Sequence, residues 1–172
     1  MITYRDAVTQ DGPQLAQMAR RCFTETFGTL YRQSDLAAFL DQAFGATGLP
    51  GQIDDPAFTI RQAFDGDRIV GFAKLGPNAL PLPSDAARGH VAELYQLYVT
   101  GDQHGAGVGP TLLEWAIATA RYGGADTLAL SVYVDNHRAK RFYARYGFVD
   151  VGRYDFPVGE TIDEDRLMVL AL

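Results

Sequence analysis

Cysteine is nearly missing: Cys22 is the only one in 172 residues, so no disulfide can close within the chain and no thiolate cluster can hold a metal. Histidine is almost as scarce, and neither His90 nor His137 has a partner at zinc-ligand spacing, so no metal is expected. Long apolar runs are absent too. No stretch approaches the ~18 apolar residues of a membrane span, and MITYRDAVTQDG puts Arg5, Asp6 and Asp11 where a secretory signal needs an apolar run. A soluble, cytoplasmic protein without a membrane partner is the expectation. Positive charge is in deficit, with 15 Lys and Arg against 21 Asp and Glu, a formal net charge of −6 and a pI near 4.9. Broad nucleic-acid binding needs clustered cations that displace phosphate counterions, so no nucleic-acid partner is expected. The acidic balance leans instead toward small cationic molecules, which it would steer inward.

What is present is a globular composition. Hydrophobic residues make up 47% and aromatic residues 12%, enough to close one core, and residues 1–172 are expected to form a single domain. Residues 3–7 read as a first strand. A helix follows from Thr9 or Asp11 with Pro13, carrying Leu15, Met18, Ala19 and Cys22 at helical spacing. Ser34 reads as the cap of a second helix bearing Leu36, Phe39, Leu40 and Phe44. Residues 57–64 and 68–75 form a hairpin through Asp65-Gly66-Asp67, in which Asp-Gly is expected to supply the positive backbone dihedrals of a tight turn. The Pro-rich stretch 76–89 is a loop, since its prolines lack the amides a helix or central strand requires. Residues 90–99 return as a strand whose alternation puts Leu94 and Tyr98 on one face and Val91, Tyr95, Leu97 and Val99 on the other. A helix through Leu112 to Ala120, a strand through Leu128 to Val134, a helix at 136–146 capped by Gly147, and strands at 149–156 and 166–172 complete the order. This order predicts an α/β fold in which a mixed sheet carries helices on both faces.

Two segments carry chemistry. His104-Gly105-Ala106-Gly107-Val108-Gly109 lies between a strand and a helix start, where glycines let successive amides turn toward one point and the helix terminus adds partial positive charge. Such a loop suits a pyrophosphate, although a plain flexible turn has the same composition. A nicotinamide-dinucleotide fingerprint is rejected, because Pro110 and Thr111 stand where its third glycine belongs. The second segment is NHRAKRFYARYGF, in which Asn136 reads equally as a helix cap, Tyr143 as a core aromatic, and the arginines as a solvated face.

Taken with ELYQLYVTGDQHGAGVGPTLLEWA, these residues resemble the GNAT superfamily of N-acetyltransferases across Glu93 to Phe148. That family's phosphate loop is Gln/Arg-x-x-Gly-x-Gly/Ala and its later helix carries Asn-x-x-Ala-x-x-x-Tyr. FTETFGTLY is similar to the branch holding PaiA-type polyamine N-acetyltransferases. The resemblance implies the GNAT fold, a mostly antiparallel sheet with one splayed parallel pair, and acetyl-CoA as cosubstrate. It implies that Leu97, Tyr98 and Val99 offer backbone groups to the pantetheine arm, with the Val99 amide near the thioester oxygen. His104 through Gly109 would cradle the pyrophosphate, His104 and Pro110 being departures from the pattern. Asn136 would bond the pantetheine amide, Arg138 or Arg141 would reach the phosphates, and Tyr143 would protonate the leaving thiolate. Glu93, six residues before Val99, would be the base on Val99's face, with a solvated strand carboxylate as its plain reading and Tyr95 with a water relay as the alternative. The expected activity is transfer of acetyl from the thioester to a primary amine, of a polyamine-like small molecule or else of a protein or peptide, a non-catalytic acyl-CoA sensor being the competing class. Glu25, Asp35, Asp41, Phe23, Phe27 and Tyr31 are the acceptor-site candidates. A homodimer through the C-terminal strand, whose apolar MVLAL would cover an edge, is the remaining expectation, with pairing inside its own sheet as the plain alternative.

Overall fold

The computed structural model describes residues 1–172 and has eleven principal elements in the expected order. They are β1 (Ile2–Asp6), α1 (Gly12–Phe27), α2 (Gln33–Phe44), β2 (Thr59–Asp65), β3 (Arg68–Pro77), β4 (Val91–Val99), α3 (Val108–Tyr122), β5 (Thr127–Tyr133), α4 (His137–Arg145), β6 (Val149–Val158) and β7 (Thr161–Ala171). No helix is long and apolar enough to cross a membrane. The strands form one sheet in the order β1-β2-β3-β4-β5-β7-β6, and every neighbouring pair is antiparallel except β4–β5. This is the mixed α/β sheet that the element order predicted.

Each sheet face has its own core. Leu112, Leu113 and Ala116 of α3 recur at helical spacing and pack with Val70, Leu94, Leu128 and Leu130 from alternate strand positions. On the opposite face, Leu15 and Phe23 of α1 and Phe44 of α2 cover Ile60, Ile69 and Phe72. Helix α3 comes close to the sheet at Gly71. A methyl group there would stand 2.9 Å from Val108 Cγ1 and 3.2 Å from Leu112 Cδ1, so glycine is what lets the first turn of α3 lie flat on β3.

Three local expectations are corrected. Ser34 sits inside α2, whose N-cap is Arg32. The β2–β3 turn has two central residues, and only Gly66 has positive φ, so it follows the II′ pattern with glycine first. The third concerns β4. Leu94 pairs with Leu75 but Gln96 pairs with Lys74, so Tyr95 is an extra residue that β3 does not match. The bulge reverses the alternation. Leu94, Leu97 and Val99 face α3, while Glu93 and Tyr98 face α1 and α2.

The pairing of β7 also differs from expectation. It lies between β5 and β6 and is hydrogen-bonded along both sides, so its apolar end needs no second chain to cover an edge. The sheet edges are β1 and β6. From Gly71 follows a first prediction. Gly71→Ala should destabilise the fold by about 1–3 kcal/mol, the usual range for overpacking, read as a lowered denaturant midpoint, and should weaken anion binding at the α3 start.

Candidate active site

The gap between β4 and β5 dominates the site. The two strands pair only from Val91 to Glu93 against Thr127 to Ala129, and then diverge. In the antiparallel ladder with β3, Thr100 donates to Val70 at 2.9 Å, so alternation turns the backbone groups of Leu97 and Val99 away from β3, toward the side that β5 has left. A cleft of about 690 Å³ fills this gap and is lined by Leu97, Tyr98 and Val99 on one wall.

On the α3 face the cleft ends at the glycine loop. Gly105 and Gly107 both have φ of +85°, a conformation that other residues rarely adopt, and a Cβ at either would project into open space. The amides of Gly105 and Gly107 have no protein partner, and those of Val108 and Gly109 belong to the unpaired first turn of α3. Ala106 differs from expectation, because its amide donates to the Gln103 carbonyl at 3.2 Å. Pro110 is the third residue of α3 and carries no N–H. His104 turns its ring back. Arg138 Nη1 lies 2.6 Å from its Nδ1, so the ring proton sits on Nε2, which donates to the Val99 carbonyl at 3.0 Å. Arg138 is therefore held beside the loop, and Arg141 and Arg145 also line the cleft.

The α4 residues divide in role. Asn136 is the helix cap, its Oδ1 accepting from the Ala139 amide at 3.2 Å, and its side chain still borders the cleft. Tyr143 is 8% exposed, packs against Phe142 and Phe148, and lines the cleft. Burial alone pushes its phenol upward, so it stays protonated and able to donate.

Glu93 is buried on the α1/α2 face, opposite Val99, and does not line the cleft. Its Oε2 accepts from the Ala79 amide at 2.8 Å in the Pro-rich loop. Burial pushes its carboxyl up, against that hydrogen bond and the nearby Lys74 ammonium. Burial in turn lowers Lys74 to about 8, where it lies over the Phe58 and Tyr95 rings. The even spacing from Glu93 to Val99 misleads because the Tyr95 bulge adds one residue between them.

At the α1/α2 end the cleft becomes acidic and aromatic. Phe23, Phe27 and Tyr31 border it as expected, together with Tyr133 and Phe156. The expected carboxylates lie elsewhere. Glu25 pairs with Arg21 at 2.6 Å and Asp41 with Arg20 at 3.0 Å, both at the surface. Asp35 is buried as a clasp, accepting from the Glu160 amide and the Thr161 hydroxyl. The acids in the cleft are Asp163 and Asp165 of β7. Tyr31 donates its hydroxyl to Asp163. Asp165 is 7% exposed, and burial pushes its carboxyl up to about 6, with the Ser131 hydroxyl pulling it back and Asp163 adding to the rise. Sequence reading missed both acids, because the string TIDEDR looks like a solvated turn, while strand alternation from Leu167 and Val169 would have placed them inward.

A sequence profile of the acetyltransferase (GNAT) family matches residues 13–148, and the chain belongs to that family. An uncharacterized N-acetyltransferase of Mycobacterium bovis is 32% identical over 164 residues, covering 94% of this chain and 98% of that protein. One from Lactobacillus delbrueckii subsp. lactis is 27% identical, covering 95% and 93%. Among solved structures, the PaiA N-acetyltransferase of Thermoplasma acidophilum in complex with coenzyme A superposes with a TM-score of 0.78 at 20% identity, covering 100% of this chain and 99% of that one. Family and relatives set the enzyme class as N-acetyltransferase, with acetyl-CoA as the family's cosubstrate. The structural likeness establishes the GNAT fold.

The raised Asp165 carboxyl has a stability signature. The folded chain holds this proton more tightly than an unfolded one, so stability falls as pH rises from the ordinary aspartate value through about 6. Asp165→Asn should therefore stabilise the protein by up to about 3 kcal/mol near pH 7.5, and the gain should vanish near pH 4, as read by thermal unfolding across pH.

Proposed function

We propose that residues 1–172 act as one catalytic domain that transfers acetyl directly from acetyl-CoA to the primary amine of a small cationic molecule, with a polyamine as the favoured acceptor. The observation that carries this reading is the continuity of one cleft. It joins unpaired loop amides on the α3 face, through the β4–β5 gap, to two carboxylates among aromatic rings on the other face. Phosphates fit the first end, because the positive-φ glycines leave space where any Cβ would intrude. An ammonium fits the second end, where ring faces and carboxylates both favour positive charge.

In this reading the loop amides and Arg138 hold the pyrophosphate, and the splayed groups of Leu97 and Val99 hold the pantetheine arm in place of a strand. The Val99 amide is aimed at the thioester oxygen, where it stabilises negative charge developing in the transition state. Asn136 offers its free amide edge to the same arm. Tyr143, which burial keeps protonated, is the group that donates a proton to the departing thiolate. Glu93, the base that the resemblance implied, is engaged by the Ala79 amide and its side chain does not line the cleft, so the amine proton leaves by another group.

Calorimetric titration with acetyl-CoA and CoA, followed by a thiol-release screen of polyamines, amino acids, aminoglycosides and peptides, tests the reading. Micromolar coenzyme binding with turnover of a small amine is expected; turnover of peptides alone would reassign the acceptor, and binding without turnover would favour the sensor class. Tyr143→Phe should lower kcat by about ten- to a thousandfold with little change in coenzyme affinity, and an unchanged kcat would remove Tyr143 from the proton path.

A further inference from the structure

An amine acceptor reaches an active site as an ammonium, and an ammonium has no lone pair with which to attack a thioester. It must therefore lose a proton to a base in or beside the cleft, and a carboxylate there would meet the ammonium directly. On the acceptor face, four carboxylates are candidates, and their surroundings separate them. Glu93 is bound to the Ala79 amide and lies outside the cleft lining. Asp35 is saturated by the Glu160 amide, the Thr161 hydroxyl and Arg32. Asp163 lines the cleft but accepts the Tyr31 hydroxyl. Asp165 lines the cleft, is more than nine-tenths buried, and has only the Ser131 hydroxyl as support.

Register explains this placement. Asp165 pairs across β7 with Tyr133 of β5 and Tyr154 of β6, and it shares a face with Leu167, which pairs with Ser131. Ser131 and Tyr133 are the β5 residues that border the gap on the acceptor side, and Tyr98 borders it from β4. Asp165 thus stands one strand behind the opening through which a thioester held by Leu97 and Val99 would face the amine.

We infer that Asp165 is the catalytic residue that receives the acceptor's ammonium and takes its proton before attack. The inference rests on the acetyltransferase reading above and deepens it. One N–H bond of the ammonium breaks and its proton passes to the Asp165 carboxylate, leaving a neutral amine. The freed lone pair forms the C–N bond, the C–S bond breaks, the thiolate is protonated by Tyr143, and the second amine proton returns through water to Tyr143. The net release is one proton, from Asp165 to solvent. The groups that face Asp165 are Asp163 on its own strand, Tyr133 and Ser131 from β5, Tyr98 from β4, Tyr154 from β6 and Tyr31 from the α1–α2 connector. Asp163 is the only charged one, and it favours ammonium while holding Asp165 basic.

The test is the pH profile of kcat/KM, followed by thiol release from acetyl-CoA with spermidine and, in parallel, with n-butylamine at high concentration as a bare primary ammonium. Wild type should rise through about pH 6 to a plateau. Asp165→Asn should fall by about a hundred- to a thousandfold near neutrality, lose the limb near 6, and rise with pH up to the amine's own pKa, where free amine comes from solution. Asp165→Glu should restore a limb, and coenzyme titration of each variant controls for folding. Glu93→Gln should keep the limb. If Asp165→Asn retains the limb, or if Glu93→Gln loses it, the inference is overturned while the acetyltransferase reading stands. If wild type neither binds coenzyme nor releases thiol with any amine, the reading itself fails and the inference with it.

Discussion

Strand β4 stands in the middle of a seven-stranded sheet, yet beyond Glu93 it keeps a hydrogen-bonded neighbour on one side only. Backbone groups left unpaired inside a fold carry a free-energy cost that something must offset. Here the flanking helices hold the strands apart: α3 packs on β3 and β4, and α4 follows directly from β5 and lines the gap with Phe142 and Tyr143. The Tyr95 bulge then twists the strand so that Tyr98 closes one face while Leu97 and Val99 serve the other. The loop amides, the phenol of Tyr143 and the β7 acids all take their places relative to this opening.

The element order was legible because periodicity reports burial, and burial is strong on both sheet faces. Leu112 to Ala120 and Leu128 to Leu130 alternate as their elements demand, and the glycine loop announces itself by position. What could not be read was a single-residue bulge, since nothing in Glu-Leu-Tyr-Gln-Leu-Tyr-Val marks where alternation reverses. That one residue moves Glu93 to the α1/α2 face. The cleft acids Asp163 and Asp165 were hidden for a different reason: charged residues are normally exposed, so a strand beginning Thr-Ile-Asp-Glu-Asp reads as surface until its partners are known.

Acidic residues on the α1/α2 side of the sheet also show how surroundings divide one chemistry into separate tasks. Asp35 joins the start of α2 to the β6–β7 hairpin, and Arg32 reaches Glu160 across the same junction at 3.2 Å. Tyr31 adds a third tie through Asp163. These contacts hold the connector between α1 and α2 down onto the strands that line the cleft. Asp165, a short step further along β7, lacks such ties and keeps its basicity.

Cys22 borders the same cleft from α1, close to Tyr98, and burial pushes its thiol up to about 11. A thiol so held is almost wholly protonated at neutral pH and is a poor nucleophile. The one side chain that could have stored the acetyl group as a thioester is thereby silenced. A relay through a thioester on Cys22 is disfavoured, in keeping with the proposed direct transfer, in which donor and acceptor share the cleft.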